Sequence, residues 1–129
     1  MSGNYLLDTN IVSAMLDADP AVTSRNVAGT VFYLPSRVVG ELYFGAENSG
    51  RPAENVRRLE SFLASSTVVP TDADTGRWYG RLKADLRRNG TPIPENDVWI
   101  TAAALQHQMS LVTRDAHFAV VIGLQTIAW

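Results

Sequence analysis

Four carboxylates in this 129-residue chain stand where chemistry can be done. Asp8 ends the apolar run Tyr5-Leu6-Leu7, and Glu41 lies about a turn into a helical segment that follows a second apolar run. Asp97 opens a late helical segment, and Asp115 comes two residues after the run Leu111-Val112-Thr113. In open parallel sheets, ligands gather at the carboxyl ends of the strands, beside the switch in strand order. Carboxylates converging there repel one another and raise each other's pKa unless a cation neutralises them. Oxygen ligands without His or Cys select hard ions, so Mg2+, with Mn2+ as its substitute, is the expected metal. Each acid alone has a plainer reading. Asp8-Thr9-Asn10 and Asp97 can be helix caps, Glu41 an exposed helical residue and Asp115 a turn residue. Four such readings would have to coincide on one edge of one sheet.

The elements that must position these acids are legible from periodicity. Short apolar runs with β-branched residues alternate with longer segments of helical period, the pattern of βα units on a mostly parallel sheet. Strands are expected at 5–7, 30–34, 67–69, 111–113 and 124–129. Ile11, Val12, Met15 and Leu16 form one helical stripe. Asp19-Pro20 caps and opens a short helix expected to run to Val27. Ser36 is the expected cap of a helix carrying Val38, Val39, Leu42, Tyr43 and Ala46. Pro52 opens another, with Val56, Leu59 and Leu63 inward. A long amphipathic helix from Asp72 ends at Asn89-Gly90, a left-handed stop signal. Two prolines keep residues 91–96 out of a helix. The next helix is expected from Asp97 to Gln108, and a short helical turn over 116–122. The expected fold is α/β, a three-layer sandwich around about five strands, with one domain spanning 1–129.

Composition bounds the rest. Thirteen acids against eleven bases give a net charge of −2, and there is no cysteine. A hydrophobic share of 46% with 19% charged residues can offset chain entropy, which excludes a wholly disordered chain. The missing cysteines exclude disulfide scaffolds, thiolate metal sites and a cysteine nucleophile. No secretory signal is visible, and the uncharged run 98–113 is shorter and more polar than the roughly 18 apolar residues of a membrane span. A cytoplasmic protein is expected. Setting the four acids aside leaves nine acids against eleven bases, so the mild acidity is concentrated in the expected pocket rather than spread over the surface.

Cations for an anionic substrate are available. Residues 77–88 hold five bases against one acid, and Arg77, Arg81 and Arg88 share a helical face that could steer a polyanion or simply face solvent. Arg114 is a closer candidate for a phosphate contact, or pairs with a pocket acid. Glu95 is a possible extra ligand or an exposed loop residue. His107 and His117 are given no ligand role. Trp78, Tyr79, Trp99 and Phe118 could stack bases, although packing is the commoner use of aromatics at helical spacing.

Four blocks in order resemble the PIN domain, and within it the VapC type of toxin ribonuclease. They are Tyr5-Leu6-Leu7-Asp8-Thr9-Asn10; Ser36 with Gly40-Glu41-Leu42 and Gly45; Ile93-Pro94 with Asp97 and Ile100-Thr101-Ala102-Ala103; and Leu111-Val112-Thr113-Arg114-Asp115 with His117-Phe118. The resemblance implies a parallel sheet between helical layers and a metal-dependent endoribonuclease leaving 5′-phosphate and 3′-hydroxyl ends. Asp8, Glu41, Asp97 and Asp115 fall on the family's acidic positions, and Thr9 and Thr113 on its hydroxyl positions. Val38-Val39 departs from the Thr-containing stretch usual before Gly40-Glu41. The implied partners are an RNA substrate, a homodimer mate and a small VapB-like antitoxin that obstructs the pocket. A receiver-like signalling domain fits poorly, since the only lysine, Lys83, lies on a helix. A haloacid-dehalogenase-like phosphatase would need Asp where Asn10 stands. The alternative from another class is an inactive RNA-binding or protein-interaction module on the same fold.

Overall fold

Leu6 and Leu7 are both fully buried, although neighbouring strand residues point to opposite faces, so the first strand is covered on both sides. That is the position of a central strand in a parallel sheet. The computed structural model describes residues 4–25 and 30–129. Its strands are β1 (Tyr5–Leu7), β2 (Phe32–Pro35), β3 (Thr67–Val69), β4 (Ser110–Val112) and β5 (Thr126–Ile127). They form one sheet in the order β3-β2-β1-β4-β5, every pairing parallel. The helices are α1 (Thr9–Leu16), α2 (Pro20–Thr23), α3 (Ser36–Glu47), α4 (Pro52–Ala64), α5 (Ala73–Arg88) and α6 (Glu95–Gln106), with a 3-10 helix at Ala116–Val120. The chain steps outward from β1 to β2 to β3 and then returns to β4 on the other side of β1. Right-handed crossovers therefore put α1 to α4 on one face and α5 and α6 on the other, an α/β/α sandwich. The reversal lies between β1 and β4, which makes their carboxyl ends the crevice of the fold.

Packing follows the sequence pattern. The core joins Leu6, Leu7, Leu34, Leu111 and Val112 of the sheet to Ile11, Val12, Val38, Leu42 and Leu59 on one side and Ile100, Ala103 and Ala104 on the other. α6 is buried from Val98 through Ala104 save for Trp99, because α5 covers its outer surface with Leu82 and Leu86. A helix apolar nearly all round belongs between two layers, as here.

Several boundaries differ from the expected ones. α6 starts at Glu95 with Pro94 as its N-cap, so Asp97 sits inside the first turn instead of capping it. Ser36 is the first residue of α3 rather than its cap; Pro35 takes that place, and the Ser36 hydroxyl donates to the Val69 carbonyl at 3.2 Å. The second strand spans Phe32–Pro35 instead of 30–34, since Pro35 can close an extended strand and precede a helix. α2 ends at Thr23, and Val27, its expected end, lies outside the described residues. α6 ends at Gln106, followed by Gln108 in the left-handed region. The last strand is reduced to two residues and the helical turn stops at Val120. Asn89-Gly90 ends α5 as expected. Gly90 has φ +68°, and the amides of Gly90 and Thr91 donate back to the carbonyls of Arg87 and Leu86.

Candidate active site

Asp8 leaves β1 at the switch point with its amide still donating to the Val112 carbonyl of β4 at 3.0 Å. It caps α1 in extended geometry, and its Oδ1 accepts the Thr9 amide at 2.8 Å. Its other oxygen, Oδ2, accepts the hydroxyl of Thr113, which follows β4, at 2.7 Å. Both side chains are almost completely buried. The cap reading and the pocket reading of Asp8 therefore describe one side chain. Burial pushes the Asp8 carboxyl up from its ordinary pKa, with Asp97 and Asp115 adding to the rise; the bonds from Thr113 and Thr9 oppose it.

Glu41 reaches the same place from α3. Its Oε1 accepts the Thr9 hydroxyl at 3.0 Å, and the Asn96 side chain lines the same groove. Desolvation raises its pKa, and the charges of Asp8 and Asp97 push in the same direction. Thr113 holds a second acid in register, because its Oγ1 accepts the Asp115 amide at 3.0 Å. Asp97, two residues into α6 beyond its first, is hydrogen-bonded through Oδ2 to His117 Nε2. The other ring nitrogen of His117 lies 3.7 Å from Asp115 Oδ1. Acids from four separate segments thus sense one another at the crevice.

Other expected contributors lie elsewhere. The Arg114 guanidinium is committed to Asp19 Oδ2 at 2.9 Å and to the Trp129 carbonyl at 2.8 Å, so it ties α2's cap to the end of the chain instead of facing the acids. Glu95 pairs with Lys83 at 2.8 Å and is bonded to Tyr79. Arg77 pairs with Asp74 at 2.6 Å and, with Arg81, flanks Trp78 in a separate cavity of about 220 Å3. Phe118 is buried in the core and Tyr79 stacks on Trp99. Sequence reasoning missed two residues of the site. His117 was legible only as a neighbour of Asp115 on the same turn, and Asn96 only as a polar residue beside Asp97.

Whether this set suits a hard divalent ion can be judged from its donors. They are carboxylate oxygens, and neighbouring negative charges help to raise the pKa of Asp8 and Glu41, both of which threonine groups already hold. Among the described residues no three His, Asp or Glu side chains stand as a closed cluster: Glu41 is turned to Thr9 and Asp97 to His117. The donor chemistry fits Mg2+ or Mn2+, and binding would exchange those two partners for the ion.

The fold and the sequence have known counterparts. The PIN domain model matches residues 5–124. A protein named ribonuclease VapC2 from Haemophilus influenzae is 36% identical over 128 residues, covering 97% of both chains. A tRNA(fMet)-specific endonuclease VapC from Shigella flexneri is 32% identical with the same coverage. Among solved structures, VapBC from Salmonella typhimurium bound to DNA superposes with a TM-score of 0.91 at 26% identity, covering 98% of both chains. VapBC2 from Rickettsia felis, bound to a promoter fragment, gives 0.89 at 26% identity over 97% of this chain and 98% of that one. An all-parallel five-strand sheet with an acidic crevice at its switch point, and relatives matched along nearly their whole length, place this chain in the PIN-domain family, in its VapC group.

Proposed function

We propose that the chain is a metal-dependent endoribonuclease, the toxin of a toxin–antitoxin pair. The observation that carries this reading is Asp8, an acid buried at the switch point, where burial first and the charges of Asp97 and Asp115 next raise the cost of its ionisation. Such an arrangement costs stability and has a use only when a cation is brought in. The ribonuclease names of its relatives supply the substrate class.

In this reading Asp8, Asp97, Glu41 and Asp115 hold Mg2+ or Mn2+. The ion, when bound, makes water nucleophilic near neutral pH and neutralises charge on the phosphodiester. Thr113 and the Thr9 amide fix both oxygens of Asp8. The Thr9 hydroxyl holds Glu41 beside the pocket until the ion takes its place, and the raised pKa and more open position of Glu41 suit it to accept a proton from the attacking water. A cavity of about 330 Å3 between α1, α3 and α4 shares Thr9 and Glu41 with the crevice, so an antitoxin segment seated in it would cover Glu41 at the edge of the acids. The VapBC structures to which this chain is similar are toxin–antitoxin complexes, which supports such a partner.

Purified protein should cleave bulk tRNA or ribosomal RNA with Mg2+ and stop with chelator. Its expression should arrest growth, and Asp8→Ala should relieve the arrest. Arrest that persists in Asp8→Ala, or cleavage indifferent to chelator, would overturn the proposal.

A further inference from the structure

Thr9 and Glu41 line a second groove as well, of about 520 Å3, which opens between α3 and the start of α6. Its α3 wall is a single helical face, since Arg37, Gly40, Glu41 and Phe44 recur at offsets of three, four and seven. Three features of that face are unusual. Arg37 carries its guanidinium 4.6 Å over the Trp99 ring, and Trp99 stacks on Tyr79 with centroids 4.0 Å apart and planes 14° from parallel. Two groups that close to one ring must take its opposite faces, so the cation is held at the end of a three-layer stack. The carboxylate-paired arginines among the described residues are Arg51, Arg77, Arg88 and Arg114, and Arg37 is not among them. Phe44 is 70% exposed, an aromatic left facing solvent on the same face. Between them, Gly40 sits inside the helix with nothing within 4 Å of where a side chain would begin. Glycine in a helix interior costs stability relative to alanine, and no packing here demands it.

We propose that this groove seats the RNA strand on one side of the scissile bond, with Arg37 binding a backbone phosphate, Phe44 stacking a base and Gly40 leaving the floor open to the strand. The proposal rests on the ribonuclease reading and adds to it a place for the substrate. A guanidinium backed by an aromatic ring keeps its N–H edge for a phosphate, and its planar fork matches that anion better than an ammonium. With no acidic partner among the described residues, the positive charge of Arg37 stands beside a crevice of carboxylates, where it offsets their repulsion of a polyanion. Base stacking on an exposed aromatic is a sequence-tolerant way to hold a single strand.

The test has a cleavage arm and a binding arm. In the first, wild type, Arg37→Ala, Arg37→Lys, Phe44→Ala and Gly40→Ala are compared on bulk tRNA and ribosomal RNA with Mg2+. Arg37→Ala should raise KM about 10-fold with kcat nearly unchanged, and Phe44→Ala somewhat less. Gly40→Ala should raise KM while raising Tm, a combination that damage to the fold does not produce. In the second arm, 3′-labelled bulk tRNA is titrated with cleavage-dead Asp97→Asn and with Asp97→Asn carrying Arg37→Ala, over a salt series. Loss of one phosphate contact should flatten the slope of log affinity against log salt by about 0.7. Arg37→Lys should keep that slope but not the full KM. An unchanged KM and slope in Arg37→Ala, with wild-type cleavage intact, overturns the groove and leaves the ribonuclease standing. Wild type that cleaves neither RNA removes the ribonuclease reading, and the binding arm then decides the groove alone.

Discussion

Asp8 and Asp72 do the same local job and have opposite electrostatics. Each is an aspartate in extended backbone at the N-terminus of a helix, followed within a turn by threonine, and each accepts backbone amides of that turn. Asp72 accepts the Thr75 amide, the Thr75 hydroxyl and the Gln106 side chain, all near 3.0 Å, and the Asp72 amide donates to the Thr75 hydroxyl in a closed capping box. Those donors, the Thr75 amide first, lower its pKa to about 2. Asp8 has two donors, but it is buried and faces Asp97 and Asp115, so its pKa is raised. One carboxylate is placed for the fold. The other is placed against the fold's interest, and that difference separates a cap from a candidate catalytic centre.

The largest expected effect exploits this contrast directly. Asp8→Asn or Asp97→Asn should lower RNA cleavage on the order of 10^3-fold, as loss of a positioned charge-stabilising group does. Asn caps as well as Asp, so Asp8→Asn should melt no lower than wild type and, relieved of a buried charge, higher. Asp72→Ala should do the reverse, with a Tm several degrees lower and kcat/KM within about twofold, since only the α5 cap is lost. Thermal melts beside RNA-cleavage rates check both, and a cleavage loss in Asp72→Ala to match that of Asp8→Asn would break the comparison.

Thr113→Val comes next. It deletes the donor to Asp8 and the acceptor for the Asp115 amide at one atom, so cleavage should fall by roughly 10- to 100-fold. Unfolding should become easier by about 1–2 kcal/mol, read from denaturant titration.

The pH dependence of stability sharpens the contrast further. Asp72 has a folded pKa below its unfolded one, so its contribution is present above about pH 4 and is lost as pH falls toward about 2. Asp8 and Glu41 have folded pKa values above their unfolded ones, so the fold holds their protons more tightly. Their penalty is absent in acid and grows as pH rises from the ordinary carboxylate range through the raised values. Subtracting stability–pH curves of Asp8→Asn and Asp72→Asn from that of wild type should therefore give differences of opposite slope. The smallest effect is at the far end of α5. Gly90→Ala should cost about 1 kcal/mol, because φ +68° is strained for a residue with a Cβ, with no change in cleavage.

Much of this was legible along the chain because it is written in local rules. Leu6-Leu7 marks a strand covered on both faces, Asp72 with Thr75 marks a helix start, and Asn89-Gly90 marks its end. The four acids were legible for a different reason: they follow strands or open helices, and the parallel topology brings such positions to one edge. Where the reading slipped, a long-range bond had taken precedence. Ser36 looks like a cap, but its hydroxyl goes to Val69 of β3, and Pro35 alone fixes the start of α3. Arg114 looks like a phosphate ligand beside Asp115, yet its partners are 95 and 15 residues away. Nothing in the local sequence around Arg37 singles it out, because its importance comes from Trp99 on another helix.

The sequence by itself determined the alternation of strands and helices and the places of the four acids at strand ends and helix starts, since residue type, spacing and turn chemistry act within a few residues. Tertiary structure decided which nearby groups engage those acids and which cations stand free. Thr113 takes Asp8, Thr9 takes Glu41 and His117 takes Asp97, while Arg114 is drawn off to Asp19 and Trp129 and Arg37 is set on Trp99 beside the crevice. Pairings of this kind depend on distances across the sheet edge and between helices, and those are fixed only when the apolar faces have packed.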